Sequence, residues 1–497
     1  MNSGRNANRS GNSKVVLAFI FGGLIGGLSV AQFVPNLKTT DVAKSQGAVI
    51  ENDPGSAPVP GATTGGSEGP VSGGVVAPPP QAANLKCAPG LNGGATDQGV
   101  TGSEIRLATT VVESGIGRPF LRDVRFAMEA VKENVNRAGG ICGRKLKIQY
   151  IDDGWSPDLG AQFLRTLINE PNKDKKIFAI PVGPSSEGLR LVIHSGDIDR
   201  AQMPVVGADG MLMEQYVKED GTPQRWVSPV AAATVASARI MAVDALKDHA
   251  KTFGIVFDKN YRFGQEAAKA FNAEVKRLTG KDILGFNKDN NCEQRYCGIQ
   301  AGQSNYPNEV REYFREKVDF TALFLEPQTA LTWMTDPNTP AARQVKYGAA
   351  QPLFTRDFAS NCRDKCDQMK VWTGFKPNIE SYKADPAVQA YVNDMARTNP
   401  QADVFNAFAV GGYVGMKLLV EGLKAIGPYV TRERLRQALD NIKLDTGLTI
   451  QPALQWRPGV RYVNTQMQGF IIQYKNTFAG WREGLTGSDP CPACGTN

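Results

Sequence analysis

Beyond Thr101, short apolar runs alternate with segments whose apolar residues recur at helical spacing, and this alternation restricts the chain to a parallel α/β architecture. Ile105 to Val112 reads as a buried strand. Arg118 to Arg137 reads as a helix with Phe120, Val124, Ala127, Met128, Val131 and Val135 on one face, stopped by Ala138-Gly139-Gly140. Leu146, Ile148 and Tyr150 alternate as a second strand, Asp158 to Asn169 forms a helix, and Ile177 to Val182 a third strand. The unit recurs as helix Val230 to Ala250, strand Thr252 to Phe257, helix Gly264 to Leu278, strand Ile283 to Phe286, helix Asn308 to Lys317 and strand Phe320 to Glu326. Long helices follow across Phe405 to Ala425 and Arg432 to Ile442. Two such runs predict two parallel sheets, each flanked by helices. Open parallel sheets bind ligands beyond the carboxyl ends of their strands, so two facing lobes place a ligand in the cleft between them.

The N-terminal region has a different character. Val15 to Val34 is an uncharged apolar run preceded by Arg5, Arg9 and Lys14 and by no acidic residue. As a helix it would be about 30 Å long, enough to span a bilayer with residues 1–14 in the cytoplasm and the bulk of the chain outside. Its length favours a retained single-pass anchor in the cell membrane. Cleavage after Ser29-Val30-Ala31, which would release a secreted protein, is the alternative. Residues 35–86 are rich in proline, glycine, serine and alanine and cannot bury enough apolar area to offset ordering entropy, so they read as a disordered stalk. The net charge of +7 is spread without basic tracts, which argues against a nucleic-acid partner.

Eight cysteines in an exported chain suggest disulfides: Cys292 with Cys297, Cys362 with Cys366, Cys491 with Cys494, and Cys87 with Cys142 over a longer loop. The Cys491/Cys494 CxxC has no second CxxC or histidine nearby, so no metal site is expected. His194 and His249 are the only histidines, neither in metal-ligand spacing, and no catalytic set assembles. Neither an enzyme nor a cofactor is expected.

Several segments resemble one family. GVTGSEIRLATTVVESG at Gly99 to Gly115, VNRAGGICGRKLKIQYIDDGWSP at Val135 to Pro157, VGPSSEG at Val182 to Gly188 and GIVFDKNYRFGQ at Gly254 to Gln265 are followed by NAFAVGGYVGMKLLVEGLKAIG at Asn406 to Gly427 and TRERLRQALDNIK at Thr431 to Lys443. Together, in this order, they resemble type I periplasmic solute-binding proteins of the branched-chain amino acid (Leu/Ile/Val) class that serve ABC transporters. The resemblance implies a two-lobed clamp. Lobe one would comprise Thr101 to Arg225 plus Val371 to Thr449, lobe two residues 226–370 plus 450–481, and residues 482–497 a tail. It also implies a small-molecule solute such as an amino acid or amide, and an ABC permease as partner. A membrane-tethered sensor or a cell-surface interaction protein could use the same clamp.

The resemblance implies a ligand site as well. Phe120 falls where relatives cover the ligand with an aromatic, and Ser185 and Ser186 where they bind its carboxylate; alternatively Phe120 starts a helical apolar face and the serines cap a helix. Gly207, Ala208 and Asp209 form the next strand end, where Asp209 departs from the family's hydroxyl. An ionised aspartate there would repel a carboxylate, hinting at a ligand with hydroxyls or positive charge, unless it is a solvated turn residue. Tyr261 and Phe263 follow a lobe-two strand. Glu326 and Gln328 close what is expected to be the last lobe-two strand, near where relatives place an acidic partner for an ammonium, or else Glu326 is a loop carboxylate.

Overall fold

A computed structural model describes residues 86–88, 91–456, 464–475 and 478–492. The apolar run at 15–34, the stalk up to residue 85 and Cys494 lie outside these residues.

The first sheet gathers β1 (Glu104–Val111), β2 (Lys145–Asp152), β3 (Ile180–Pro181), β4 (Val205–Ala208) and β5 (Val227–Pro229). β2 pairs with β1, a parallel bridge from Leu107 to Ala179 carries the sheet towards β3, and β4 and β5 continue it, all parallel. Between these strands run α1 (Arg118–Arg137), α2 (Pro157–Ile168), α3 (Ser186–His194) and α4 (Asp197–Ala201). α1 buries the apolar face expected of it and ends where Gly140 takes φ +82°; a Cβ there would lie 2.0 Å from the Arg144 carbonyl oxygen.

The second sheet lies in the middle of the chain. α5 (Thr234–Lys247) leads to β6 (Phe253–Phe257), α6 (Arg262–Thr279), α7 (Pro307–Arg315), β7 (Phe320–Phe324), α8 (Pro327–Thr335), β8 (Lys346–Ala349), α9 (Arg356–Cys362) and β9 (Lys370–Thr373). The chain then returns to the first sheet with α10 (Pro386–Thr398), α11 (Ala407–Ile426) and α12 (Arg432–Leu439), of which α10 and α11 pack on α1. A short antiparallel pair, β10 (Lys443–Leu444) and β11 (Leu454–Gln455), precedes the hairpin of β12 (Gln466–Lys475) and β13 (Phe478–Ser488). The hairpin completes a six-stranded sheet in the order β13-β12-β9-β8-β7-β6.

The chain thus passes between the sheets three times. The second and third passages run side by side: Lys376 N–H donates to the Leu448 carbonyl and Ile450 N–H to that of Gly374, each at 2.8 Å. Adjacent, mutually bonded crossings are the form a hinge takes.

Several expectations need correction. The second sheet is mixed, because β12 and β13 join antiparallel. β13 extends to Ser488, so residues 482–488 are sheet and not tail. β7 is an interior strand and not the last of its sheet. Ile283 to Phe286 is no strand: the Ile283 N–H bonds the Asn272 side chain and Phe286 bridges back to Cys292. The Leu284 N–H does reach the Phe253 carbonyl of β6 at 2.8 Å, but the neighbouring bonds to α6 and to a local turn keep the segment from forming a ladder. His249 lies just past α5, in a turn. The disulfides Cys87–Cys142, Cys292–Cys297 and Cys362–Cys366 form as expected, and Cys491 is also disulfide-bonded.

Candidate ligand-binding site between the lobes

The loops after β1, β2, β3 and β4 meet the start of α6 from the second lobe. Phe120, in the first turn of α1, is 2% exposed; it belongs to the helix's apolar face and also lines the interlobe seam. Its ring sits edge-on to Trp155 at 5.1 Å and 5.5 Å from Phe408 of α11. Trp155 stacks on Tyr261 of the second lobe at 4.2 Å, and Phe263 lies 6.4 Å from both. Five aromatic rings from two lobes therefore form one cluster. What space they leave is small: a void of about 20 Å³ beside Phe120, Trp155 and Phe263, and one of about 10 Å³ beside Phe408 and Gln351. Each has room for about one water, so in this conformation the cleft is closed on its own side chains.

The polar residues divide into those that face this space and those that do not. Ser185 precedes α3 but makes no capping bond; its buried hydroxyl stands beside the Asp153 carboxylate. Ser186 donates to the Asp209 carboxylate, which also accepts from Gln215 Nε2 at 3.2 Å and lines both voids. The hydroxyl expected to meet a ligand carboxylate is thus committed to Asp209. Burial, above all, pushes Asp209 up to about 6. Ala208 closes β4, and Gly207 before it takes φ +83° so that β4 can touch α11. Glu326 lines neither void; its carboxylate accepts from the Gln328 and Thr329 N–H groups and caps α8. Proline at the first helical position and a free carboxylate before it make this a helix start, which explains why that acid is satisfied locally.

Other residues of the seam escaped sequence reasoning. Glu187, 3% exposed on α3, accepts from the Phe263 N–H at 3.1 Å, and Glu266, 1% exposed on α6, accepts from the Met213 N–H at 3.1 Å. Each lobe thus bonds the other's backbone through a buried carboxylate. Arg190 stands 3.5 Å from Glu187, and Arg262 3.3 Å from Glu266, with Glu214 between the two arginines. No motif announces such a latch, because its partners are far apart in sequence. Trp155 did carry a signal: it follows Asp153-Gly154 directly after a strand and adopts φ +62°, unusual for a bulky residue.

Glu266 gives a measurable consequence. Burial first, opposed by the Met213 N–H and by Arg262, and assisted by Glu214 and Glu187, raises its carboxyl to about 7. Between its ordinary value of 4.5 and about 7 the folded protein holds a proton that the unfolded chain releases. Stability from this group is therefore full at lower pH and lost as pH rises towards 7, by up to about 3 kcal/mol. Glu266→Gln, which keeps an acceptor for Met213, is expected to remove most of that slope in urea unfolding between pH 4.5 and 8. An unchanged slope would refute the assignment.

Comparison with known proteins places this geometry. Residues 104–468 match the family model described as periplasmic binding protein, well over half of the chain. No curated protein sequence matches it. Among solved structures, a possible leucine/isoleucine/valine-binding protein from Rhodopirellula baltica superposes with a TM-score of 0.63 at 13% identity, covering 77% of this chain and 96% of that one. A fatty acid ABC transporter substrate-binding protein from Thermomonospora curvata gives 0.63 at 18% identity, covering 79% and 95%. A solute-binding protein from R. palustris in complex with 4-hydroxybenzoate gives 0.64 at 13%, covering 78% and 98%. At these identities the structures establish shared architecture. With the family match they show that the chain belongs to the periplasmic binding proteins, a family of non-enzymatic, extracytoplasmic ligand binders.

Proposed function

We propose that this protein captures a small polar solute in the interlobe cleft and presents it to an ABC permease, held near the membrane by the apolar segment Val15 to Val34. The observation that carries this reading is the convergence of strand-end loops from one lobe and the start of α6 from the other on a single seam. Its closure is made of contacts that can re-form around a guest. Phe120, Ser186, Asp209 and Phe263 are the ligand-facing residues in this reading, joined by Trp155, Glu187 and Gln351; Tyr261 takes part through its stack on Trp155, and Ser185 lines neither void. Glu326 keeps its helix cap. The tether and stalk would raise the local concentration of the clamp at its permease. The relatives named above are a possible leucine/isoleucine/valine-binding protein, a fatty acid ABC transporter substrate-binding protein and a solute-binding protein holding 4-hydroxybenzoate, so architecture alone leaves the ligand open.

The test is a thermal-shift screen of the full-length protein in mild detergent against a broad library of amino acids, amides, amines, organic acids and sugars. A solute at 100 times its Kd should stabilise the folded state by about 2.7 kcal/mol. Absence of any shift across the library would remove the solute-binding reading. A native N-terminus at Gln32, found by mass spectrometry, would replace the tether by a cleaved signal.

A further inference from the structure

We infer that the cleft is built for a small organic cation, an ammonium group with a neighbouring oxygen, and not for a carboxylate; this rests on the solute-binding reading above. The larger void is bounded by the rings of Phe120, Trp155, Phe263 and Phe408 and by Asp209 and Glu187. Among the described residues no lysine or arginine lines either void. Glu187 has Arg190 at 3.5 Å, whereas among the described residues Asp209 has only neutral hydrogen-bond partners, Ser186, Gln215 and the Met211 N–H. Asp209 is therefore the uncompensated charge of the site. In this partly buried setting a second negative charge close to it would be repelled, and a positive charge attracted, before its own desolvation. The aromatic walls add to the contrast, because each ring face attracts a cation and offers an anion nothing comparable.

The neighbouring void adds the second half of the ligand. Gln351 is 3% exposed and lines that void beside Asp209; its Oε1 accepts from Thr373, while its Nε2 has no partner among the described residues. A buried donor without an acceptor is destabilising, and a ligand hydroxyl or carbonyl oxygen would relieve it. An ammonium against Asp209 and the rings, with an oxygen a few bonds away towards Gln351, meets both demands. Entry requires the Trp155–Tyr261 stack to part, since each void now holds about one water. The rings that plug the closed cleft are then the walls that enclose the cation.

The experiment uses two matched sets and isothermal titration calorimetry on the full-length protein in detergent. Choline is compared with its neutral carbon isostere 3,3-dimethyl-1-butanol and with 3,3-dimethylbutyrate, and benzylamine with benzyl alcohol and benzoate. In at least one set the cation is expected to bind about tenfold or more tighter than its neutral partner, and the anion weakest. Asp209→Asn is expected to bring cation and neutral isostere within about threefold of each other, and Trp155→Leu to weaken the cation, with circular dichroism confirming that both variants fold. Neutral or anionic members binding as tightly as the cations would overturn the inference while leaving solute capture standing. If no ammonium probe binds below 10 mM the inference also fails, and solute capture falls with it only when the broad thermal-shift library is silent too.

Discussion

Gly415→Ala is expected to destabilise the protein by about 3 kcal/mol or more, although in an isolated helix the same change would stabilise by about 1 kcal/mol. Gly415 lies inside α11, and a Cβ there would stand 2.4 Å from the carbonyl oxygen of Gly207 at the end of β4. The contact is reciprocal: a Cβ on Gly207 would lie 2.3 Å from the Gly415 Cα. Both obstacles are backbone, so relief requires α11 to lift from the sheet, and overpacking of this kind costs more than a side-chain adjustment. Asp209 is two residues beyond the contact, so the same variant is expected to lose ligand-induced thermal shift even where it folds. Urea unfolding measures the first effect. Gly102→Ala, whose nearest neighbour lies at 4.0 Å and whose φ is not positive, is the control and should stay within about 0.5 kcal/mol of the parent. A Gly415→Ala variant as stable as the parent would show that helix and sheet are not held at this distance.

Arg432→Leu is expected to cost about 3–5 kcal/mol. The side chain is 5% exposed, and its guanidinium donates to the carbonyls of Phe178 at 2.9 Å, Ala201 at 3.0 Å and Ile177 at 2.8 Å. Its own N–H is held by Asp97 at 2.8 Å. One residue of α12 thereby ties together the approach to β3 and the end of α4. Leucine fills much of the space but leaves three carbonyls without donors. Lysine restores the charge without the fork that reaches all three, so Arg432→Lys should recover only part of the loss. Arg225→Leu breaks an exposed pair with Glu433 at 3.3 Å and is expected to cost less than about 1 kcal/mol. Equal midpoints for Arg432→Leu and Arg225→Leu in urea unfolding would refute the role assigned to Arg432.

Much of the lobe architecture was legible in advance because it depends on local patterns. The first α-helix was read with its observed boundaries because its apolar spacing, its early proline and the glycines that end it are all neighbours in sequence. The same holds for the close pairs Cys292–Cys297 and Cys362–Cys366. That Ile283 to Phe286 is not a strand is not legible in sequence, because a four-residue apolar run does not say how many of its groups a sheet edge will take: the Leu284 N–H reaches the Phe253 carbonyl of β6, but an asparagine of α6 takes that of Ile283. The last strand was missed because WREGLTGS has no buried alternation, and only pairing with Gln466–Lys475 makes it a strand.

For the site, sequence alone determined which types of residue stand at the strand ends: two serines, an aspartate in place of a hydroxyl, and aromatics on both lobes. Those positions follow from the periodicity of strands and helices and from the family motifs. Tertiary structure alone decided what they do. It commits the Ser186 hydroxyl to Asp209, turns Glu326 into a helix cap, and places Trp155 on Tyr261 and Glu187 on the start of α6. The reason is physical. Secondary structure is set by interactions within a few residues, whereas the charge balance of a cleft is set by which carboxylates find donors once chain segments more than 70 residues apart are packed together, as Glu187 and Phe263 are.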